Sequence, residues 1–316
     1  RYPSVVKRLL KELGVDMGAF NKAYDQTFYR RHKLSGGIHF NKELWGNDAT
    51  IPFDVANFRD WMPMFDSRLE VQDAVPKMPL SQAARLEILR LFTTTEDQIP
   101  HLSKAEKWDY LYTISYRNFL IRHCGITEDE VFAVFQDLTS DSGVGIDSVN
   151  AASALWSAGL PGWEAAGLPN AGQDEPYIHH FPDGNASVAR LLVQKLIPTV
   201  APEVIGPANV VGARFNYDAL DEVENTTRLR LNSTAVGIRE NQAGTVEVDY
   251  VEHGSAKRVM ADHCILACYN GLIPHLCPEM PESQKAGLAY GVKTPFVYAN
   301  VQVRDGNAFS KAGYTF

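Results

Sequence analysis

The chain has 316 residues, of which 45% are apolar and 22% charged, and its formal net charge is −8. That length can bury a large core, and the composition is that of a globular protein rather than a disordered one. The acidic balance disfavours nucleic acid as a partner, because nucleic-acid surfaces need stripes of Lys and Arg, and no apolar run reaches the length of a membrane span.

The first third of the chain is predicted to be helical. A stripe of apolar side chains predicts a helix from Ser4 to Leu13 that ends at Gly14, and Asp16 is predicted to cap a second helix. The following stretch, residues 34–63, contains glycines, prolines and alternating aromatics, so it predicts short strands and loops.

Helices are predicted again from residue 80, beginning with one that Ser81 opens. Ser103 and Glu106 have the spacing of a capping box, and the helix that they start is predicted to run to about Cys124. Thr127 and Glu130 have the same spacing before a predicted helix over residues 131–138.

A glycine- and proline-rich region, residues 139–184, is predicted to be a long loop that lines a site or a domain junction. The helix after it is predicted to be capped by Asn185 and stopped by Pro198. Near the end of this loop, His179 and His180 are either acid/base groups or structural histidines.

The second half predicts a three-stranded unit followed by further elements. Strands are predicted over residues 227–239, with a bulge near Thr234 or Ala235, over 245–251 and over 258–268. The apolar end of the third strand is typical of a strand that is covered on both faces. A short helix over residues 283–290 and a last strand over 294–303 follow.

The cysteines are not spaced as in a metal site. Cys264, Cys268 and Cys277 lie within a short stretch, but their C-x3-C and C-x8-C spacings lack the short knuckle of a zinc site. We therefore expect Cys264 and Cys268 to be small buried side chains of a core strand, and we predict no metal.

Two stretches carry the chemistry that the sequence allows. The third strand leads into small residues, including Ala267 and Cys268, which would let the backbone approach a ligand closely; an ordinary sheet with a hairpin gives the same pattern. The glycine loop before the helix at residue 185 offers free backbone N–H groups to an anion or a ring edge, or is simply capped by Asp183 or Asn185.

Both stretches resemble the bacterial spermidine dehydrogenase family, which belongs to the amine-oxidase-like FAD proteins. The resemblance lies in His-Phe-Pro-Asp-Gly-Asn-Ala-Ser-Val-Ala-Arg-Leu-Leu at 180–192 and in Cys-Ile-Leu-Ala-Cys-Tyr-Asn at 264–270. Further stretches resemble the same family, at residues 5–15, 143–147, 228–234, 273–279 and 289–293. Together they cover nearly the whole chain.

The resemblance implies a mixed α/β (α+β) fold. It would comprise part of an FAD-binding Rossmann-like domain and a helix-rich substrate domain, in the architecture of amine oxidases and glutathione reductase. The implied parts are helices and loops after the FAD-binding start (1–60), a mainly helical substrate domain (61–184), an FAD-domain portion with a three-stranded meander (185–280) and a return to the substrate-domain sheet (281–316).

The resemblance also implies the reaction. Members of the family oxidise a polyamine such as spermidine by hydride transfer to flavin N5, and the resulting imine is hydrolysed. Some members also carry haem b, and the proteins are exported to the periplasm. The partner is thus a small-molecule amine, and the electron acceptor is left open.

Site residues follow from the same resemblance. Val236 would meet the adenine through its backbone, and Ala267, Cys268 and Tyr269 would lie along the ADP half of FAD. The substrate-cavity loop would be formed by Phe181, Asp183 and Asn185. No residue is assigned a catalytic role.

One departure from the family pattern affects the whole prediction. The family's Gly-x-Gly-x-x-Gly turn and ribose-binding acid are expected before Arg1, and its flavin-ring portion after Phe316. The chain is therefore predicted to be an interior piece that is inactive alone. Two alternatives stay open, a flavin oxidoreductase for another amine or an amino acid, and a cofactor-free binding or structural module of the same fold.

Overall fold

A computed structural model describes residues 2–23, 25, 27–55, 69–139, 142–168, 181, 183–293 and 295–312. The chain divides into two compact units. Unit 1 contains Met17–His179 and Phe296–Phe316, and unit 2 contains Tyr2–Asp16 and His180–Pro295. The assignment of predicted parts to an FAD domain and a substrate domain stays a prediction.

Unit 1 is mainly helical. Its helices are α2 (Met17–Ala23), α3 (Phe28–Arg31), α4 (Lys42–Trp45), α5 (Val71–Ala74), α6 (Gln82–Thr93), α7 (Lys104–Thr113), α8 (Tyr116–His123), α9 (Asp129–Phe135), α10 (Ala151–Trp156) and α15 (Asn307–Ala312). Two short strands, β1 (Ile38–Phe40) and β2 (Ala49–Ile51), pair antiparallel.

Unit 2 combines helices with a sheet. Its helices are α1 (Ser4–Glu12), α11 (Ala186–Leu196), α12 (Pro207–Val210), α13 (Ile273–Leu276) and α14 (Glu282–Tyr290). Its strands are β3 (Ser233–Glu240), β4 (Val246–Glu252) and β5 (Ser255–Ala261), which form an antiparallel sheet in the order β3-β4-β5. The prediction of a mixed helix-and-sheet chain is confirmed.

Carboxylates of α6 and α9 cap each other's helix. Glu87 on α6 accepts hydrogen bonds from the backbone N–H groups of Thr127 and Glu128 (3.0 Å each) and from the Thr127 hydroxyl (2.7 Å). In return, Glu130 on α9 accepts the backbone N–H of Ser81, at 2.9 Å. The free N–H groups at both helix starts thus receive a charged acceptor from the neighbouring helix.

The predicted capping box of Thr127 and Glu130 is therefore wrong. The N-cap position of α9 is Glu128, whose side chain makes no capping hydrogen bond. The spacing was right for a box, but the carboxylates of Glu87 and Glu130 make stronger, charge-assisted bonds across to the other helix. The box of Ser103 and Glu106 at α7 and the cap of Ser81 at α6 are confirmed.

The helix predicted to run from residue 103 to Cys124 is interrupted. Ile114 is extended (φ −113°, ψ 140°), and Ser115 caps a new helix by accepting the N–H of Asn118. The break is held from outside the segment, since the Ala151 N–H donates to the Ile114 carbonyl at 2.9 Å and the Tyr116 N–H donates to the Val149 carbonyl at 3.0 Å. The backbone of Val149 and Ala151 has thus replaced the helical hydrogen-bond partners at this point.

The region predicted to be a long loop, residues 139–184, contains helix α10. Asn150 caps it by accepting the N–H of Ser153 at 2.8 Å. Its alanines lie in the core of unit 1, where their small side chains allow close packing against α7 and α8. His179 and His180 lie outside the described residues.

The core of unit 1 is built around the buried face of α8. Tyr116, Phe119 and Leu120 are fully buried and recur at helical spacing, so they lie on one side of the helix. The Tyr116 hydroxyl donates to the Pro161 carbonyl at 2.7 Å, which removes the cost of burying it. Burial raises the pKa of this phenol well above its ordinary value, so it stays a neutral donor.

A nearly buried ion pair ties α7 to the chain before and after it. The Lys107 side chain is 6% exposed and pairs with Asp97, and its ammonium also donates to the Gly167 carbonyl at 3.3 Å. Gly167 has φ +60°, and a Cβ there would collide with Asp97 and Lys107. Burial tends to raise the pKa of Asp97, but the hydrogen bonds from Lys107 and from the Ile99 N–H, together with the Lys107 charge, outweigh it and lower the pKa.

Local turn chemistry sets the sheet of unit 2. His253 and Gly254 connect β4 to β5 with φ of 50° and 77°, as a two-residue hairpin requires. The register shifts between Ala235 and Gly237, so the bulge predicted near Thr234 or Ala235 is present with Val236 as its extra residue. β3 begins only at Ser233, later than predicted, since the Leu229 N–H bonds instead to the Leu220 carbonyl at 2.8 Å.

One predicted strand is shorter at its end than predicted, and another is absent from the described residues. The third strand ends at Ala261 instead of residue 268, and residues 295–303 form no strand. A strand needs a neighbour for its N–H and C=O groups, and no strand of the described residues lies beside either stretch. The helix at residues 283–290 is confirmed as α14, and the first helix and its end before Gly14 are confirmed as α1.

We expect Glu87→Gln to lower the free energy of unfolding by about 1–2 kcal/mol at neutral pH, because α9 loses its charged acceptor. Burial tends to raise the pKa of Glu87, but the hydrogen bonds of Thr127 and Glu128 lower it below the ordinary 4.5. A lowered pKa in the folded state means that the carboxylate stabilises the fold fully above pH 4.5 and that this stability is lost as pH falls through the folded value.

The difference between wild type and Glu87→Gln should therefore shrink in acid, as measured by urea unfolding across pH. Glu96→Gln, at an exposed position in the same unit, is the control and should change little. A difference that stayed constant down to strongly acidic pH would contradict the role of the Glu87 charge.

Lys107→Met should destabilise the chain by about 2 kcal/mol, since Asp97, whose side chain is 32% exposed, loses its charged partner. Denaturant unfolding measures this, with Lys104→Met at the exposed start of α7 as the matched control. Adding Asp97→Asn to Lys107→Met should recover part of the loss, and equal stability of Lys107→Met and wild type would refute the importance of the pair.

Candidate functional site

Val236, predicted to contact an adenine ring, is the bulged residue of β3. It has no partner in the register, which passes from Ala235 opposite Tyr250 to Gly237 opposite Asp249. Its side chain is 52% exposed. A bulge leaves the extra residue outside the ladder, so the backbone at Val236 can bond a ligand without breaking the sheet.

The other predicted cofactor residues follow β5 in irregular, exposed backbone. Ala267, Cys268 and Tyr269 are all exposed, and Ile265 before them is 91% exposed. The Tyr269 hydroxyl donates weakly to the Gly291 carbonyl at 3.4 Å, and the Tyr269 carbonyl accepts the N–H of Leu272 at 2.9 Å. Small side chains at 267 and 268 leave this backbone open to close approach.

The expectation that Cys264 and Cys268 are buried in a core strand is wrong. Both are exposed, since the strand that would carry them ends at Ala261. Cys277 is only partly exposed, and its pKa is raised first by burial and then by the nearby Cys264 and Cys268. Among the residues that the structure describes, no three His, Cys, Asp or Glu side chains are grouped to hold a metal ion.

The predicted substrate-cavity residues precede and begin α11. Phe181 is buried, Asp183 is half-buried, and Asn185 is exposed. Asn185 occupies the N-cap position, but it has helical backbone angles and its side chain makes no capping bond, so the predicted cap is wrong. Asp183 instead accepts the Ser187 hydroxyl and lies 3.9 Å from Arg190, which leaves little of its charge for a ligand.

Unit 2 brings part of the predicted site together. Helix α13 begins shortly after Tyr269 and packs against β3, the strand that carries Val236. Its first residue, Ile273, is buried. The stretch that carries Ala267, Cys268 and Tyr269 is thus tethered to β3 through the helix that follows it.

A groove that the sequence did not reveal lies in unit 1, with a volume of about 700 Å³. We call it the Trp45 groove. Its apolar walls include Phe40, Leu44 and Trp45, and the rings of Phe40 and Trp45 meet edge to face with centroids 5.1 Å apart. Asn41 caps α4 by accepting the N–H of Leu44 at 2.8 Å, which fixes the wall.

The Trp45 groove also contains four acids, Asp54, Asp129, Glu130 and Asp137, and no Lys or Arg among its described lining residues. The sequence signal for these acids is the spacing of Asp129, Glu130 and Asp137 around α9, which puts acids at both ends of a helix whose buried face packs on the core.

Comparison of the chain with protein families and with curated proteins finds no match. No helix of the described residues is long and apolar enough to cross a membrane.

The four thiols should differ widely in alkylation rate. Cys264 and Cys268 are exposed and should react first, whereas burial raises the pKa of Cys124 to about 12 and leaves little thiolate. We expect Cys124 to react at least about tenfold more slowly than Cys268 in native protein, measured by iodoacetamide labelling and peptide mass spectrometry. Urea-unfolded protein is the control, where the rates should converge. Slow native labelling of Cys264 and Cys268 would mean that this stretch is covered.

Proposed function

We propose that the chain belongs to an FAD-dependent amine dehydrogenase that oxidises a polyamine of the spermidine type. The observation that carries the proposal is the likeness of residues 180–192 and 264–270 to the spermidine dehydrogenase family. Haem b as a second group, a Rossmann-like arrangement around the cofactor and a periplasmic location are further parts of the same proposal.

The geometry of unit 2 is compatible with an extended dinucleotide. Val236 leaves the β3 ladder at a bulge, and Ala267 and Cys268 present small side chains on exposed backbone. These are the features that close backbone contact with a ligand requires, since larger side chains or paired backbone would block it. Tyr269, 44% exposed, adds a ring that can pack on a flat ligand surface.

FAD would supply the redox chemistry by accepting a hydride from the carbon beside the amine nitrogen. The residues of this chain would hold FAD in position. The backbone at Val236 would hold the adenine edge, and the backbone at Ala267 and Cys268 would follow the ADP half. The amine must arrive neutral, because its nitrogen lone pair assists loss of the hydride, and an apolar cavity favours that state. Buried Phe181 would provide part of such a surface.

The test uses the protein encoded by the complete reading frame that contains this chain. We expect the purified protein to show flavin absorbance that spermidine bleaches without oxygen. Ala267→Leu should weaken FAD binding by about tenfold, or ~1.4 kcal/mol, because the side chain intrudes on the ligand. Ala256→Leu, at an exposed position of β5, is the matched control and should leave FAD binding unchanged.

Each other outcome has a distinct meaning. Absence of flavin absorbance would refute the function and favour a cofactor-free module. Flavin that another amine or an amino acid bleaches, while spermidine does not, would refute the substrate. Equal FAD affinity in Ala267→Leu and Ala256→Leu would refute the assignment of Ala267.

A further inference from the structure

We propose that the Trp45 groove is a binding site for an organic cation with an apolar body, such as an alkylammonium ion, whose charged end lies at Asp137. The groove lies wholly in unit 1, so the proposal goes beyond the flavin chemistry and does not depend on it.

The apolar part of the ligand is set by the walls. A volume of about 700 Å³ is in the range of pockets that bury small organic molecules. Leu44 is 78% exposed at the groove although α4 fixes its position, and the partly exposed Trp45 and Leu138 add further apolar surface. Binding of a hydrocarbon chain to exposed apolar surface on a concave, fixed wall is favourable, because it removes that surface from water.

The four acids determine the sign of the charge that a ligand of the groove must carry. A groove whose charged side chains share one sign focuses the field and attracts the opposite ion. Three of the four acids already have partners, since Glu130 accepts the Ser81 N–H at 2.9 Å, Asp129 lies 3.6 Å from Arg117, and Asp54 also takes part in an interaction. Asp137 has no hydrogen bond or ion pair to any described residue, and it is exposed at the groove.

A ligand with one positive end and an apolar remainder matches both features. An anion would be repelled by all four carboxylates, and a neutral hydrocarbon would leave the Asp137 charge unused. A bare metal ion does not fit, because no cluster of three ligating side chains is present in the described part of the chain.

The experiment titrates the 316-residue chain with n-butyl-, n-hexyl- and n-octylammonium chloride by calorimetry. We expect affinity to rise about fourfold for each methylene while the chain is still being buried. n-Hexylammonium should bind more tightly than n-hexanol, and n-hexanoate more weakly than n-hexanol. Asp137→Asn should weaken n-hexylammonium about threefold and leave n-hexanol unchanged. Asp109→Asn, at an exposed position of α7, is the matched control.

Tryptophan fluorescence locates the bound ion. Binding should change the emission of wild type, and Trp45→Phe should lose most of that change, since the reporting indole is gone from the groove wall. Equal affinity of n-hexylammonium and n-hexanol would overturn the role of charge. Absence of saturable binding, or an emission change that persists in Trp45→Phe, would overturn the site. Circular dichroism confirms that each variant is folded.

Discussion

The helical unit depends on one reciprocal interaction, in which a glutamate of α6 caps α9 and a glutamate of α9 caps α6. Each helix begins with N–H groups that it cannot satisfy itself, and each receives a glutamate from the other. The exchange fixes the relative position of the two helices, because both contacts can form only in one alignment. Ile88 and Leu91 on α6 and Val131 and Phe135 on α9 then pack as one core.

The lower pKa of Glu87 reports how that contact is made. Burial alone would favour the neutral acid, so the lowering must come from the donors that Thr127 and Glu128 supply. The negative charge of Glu87 is therefore stabilised by donors at the helix junction rather than by solvent. One consequence concerns the Trp45 groove, since α9 contributes Asp129, Glu130 and the adjoining Asp137 to it. Holding α9 in place also holds these acids in place.

Local patterns in the sequence predicted the longer helices, and distant partners explain failures at particular residues. The caps at Ser81 and Ser103 need only residues three positions away, so sequence spacing is sufficient to identify them. The interruption at Ile114 depends on backbone near Asn150, which spacing cannot show. The mistaken box at Thr127 has the same origin, because its competitor, Glu87, is forty residues away.

The site was less predictable than the fold for a related reason. A phase shift in the sequence predicted a bulge near Thr234 or Ala235, and β3 has its bulge at Val236, the residue that the family resemblance had named. The apolarity of residues 264–268 predicted burial of Cys264 and Cys268, but burial requires a covering element, and both side chains are exposed. The Trp45 groove combines residues 37–55 with residues 129–138, and no single stretch of sequence marks it.

The meander of unit 2 is aligned by charge as much as by apolar pairing. Asp249 on β4 lies between Arg239 on β3 and Arg258 on β5, and the hydrogen bond from Arg258 holds its pKa below the ordinary range. Exposed pairs of this kind add little stability, but a shift of register would separate them. They therefore specify alignment in a sheet whose central strand is nowhere fully buried.

The bulge at Val236 gives β3 one place where its length is adjustable. With Val236 removed, Ala235 and Gly237 would become successive rungs opposite Tyr250 and Asp249, and every other side chain would keep its face. Loss of a residue further along, such as Ile238, would turn the following side chains to the opposite face. During evolution, insertions and deletions in this strand should therefore occur mainly at the bulge. A change of length there leaves the rest of the sheet unaltered, whereas a change elsewhere in β3 does not.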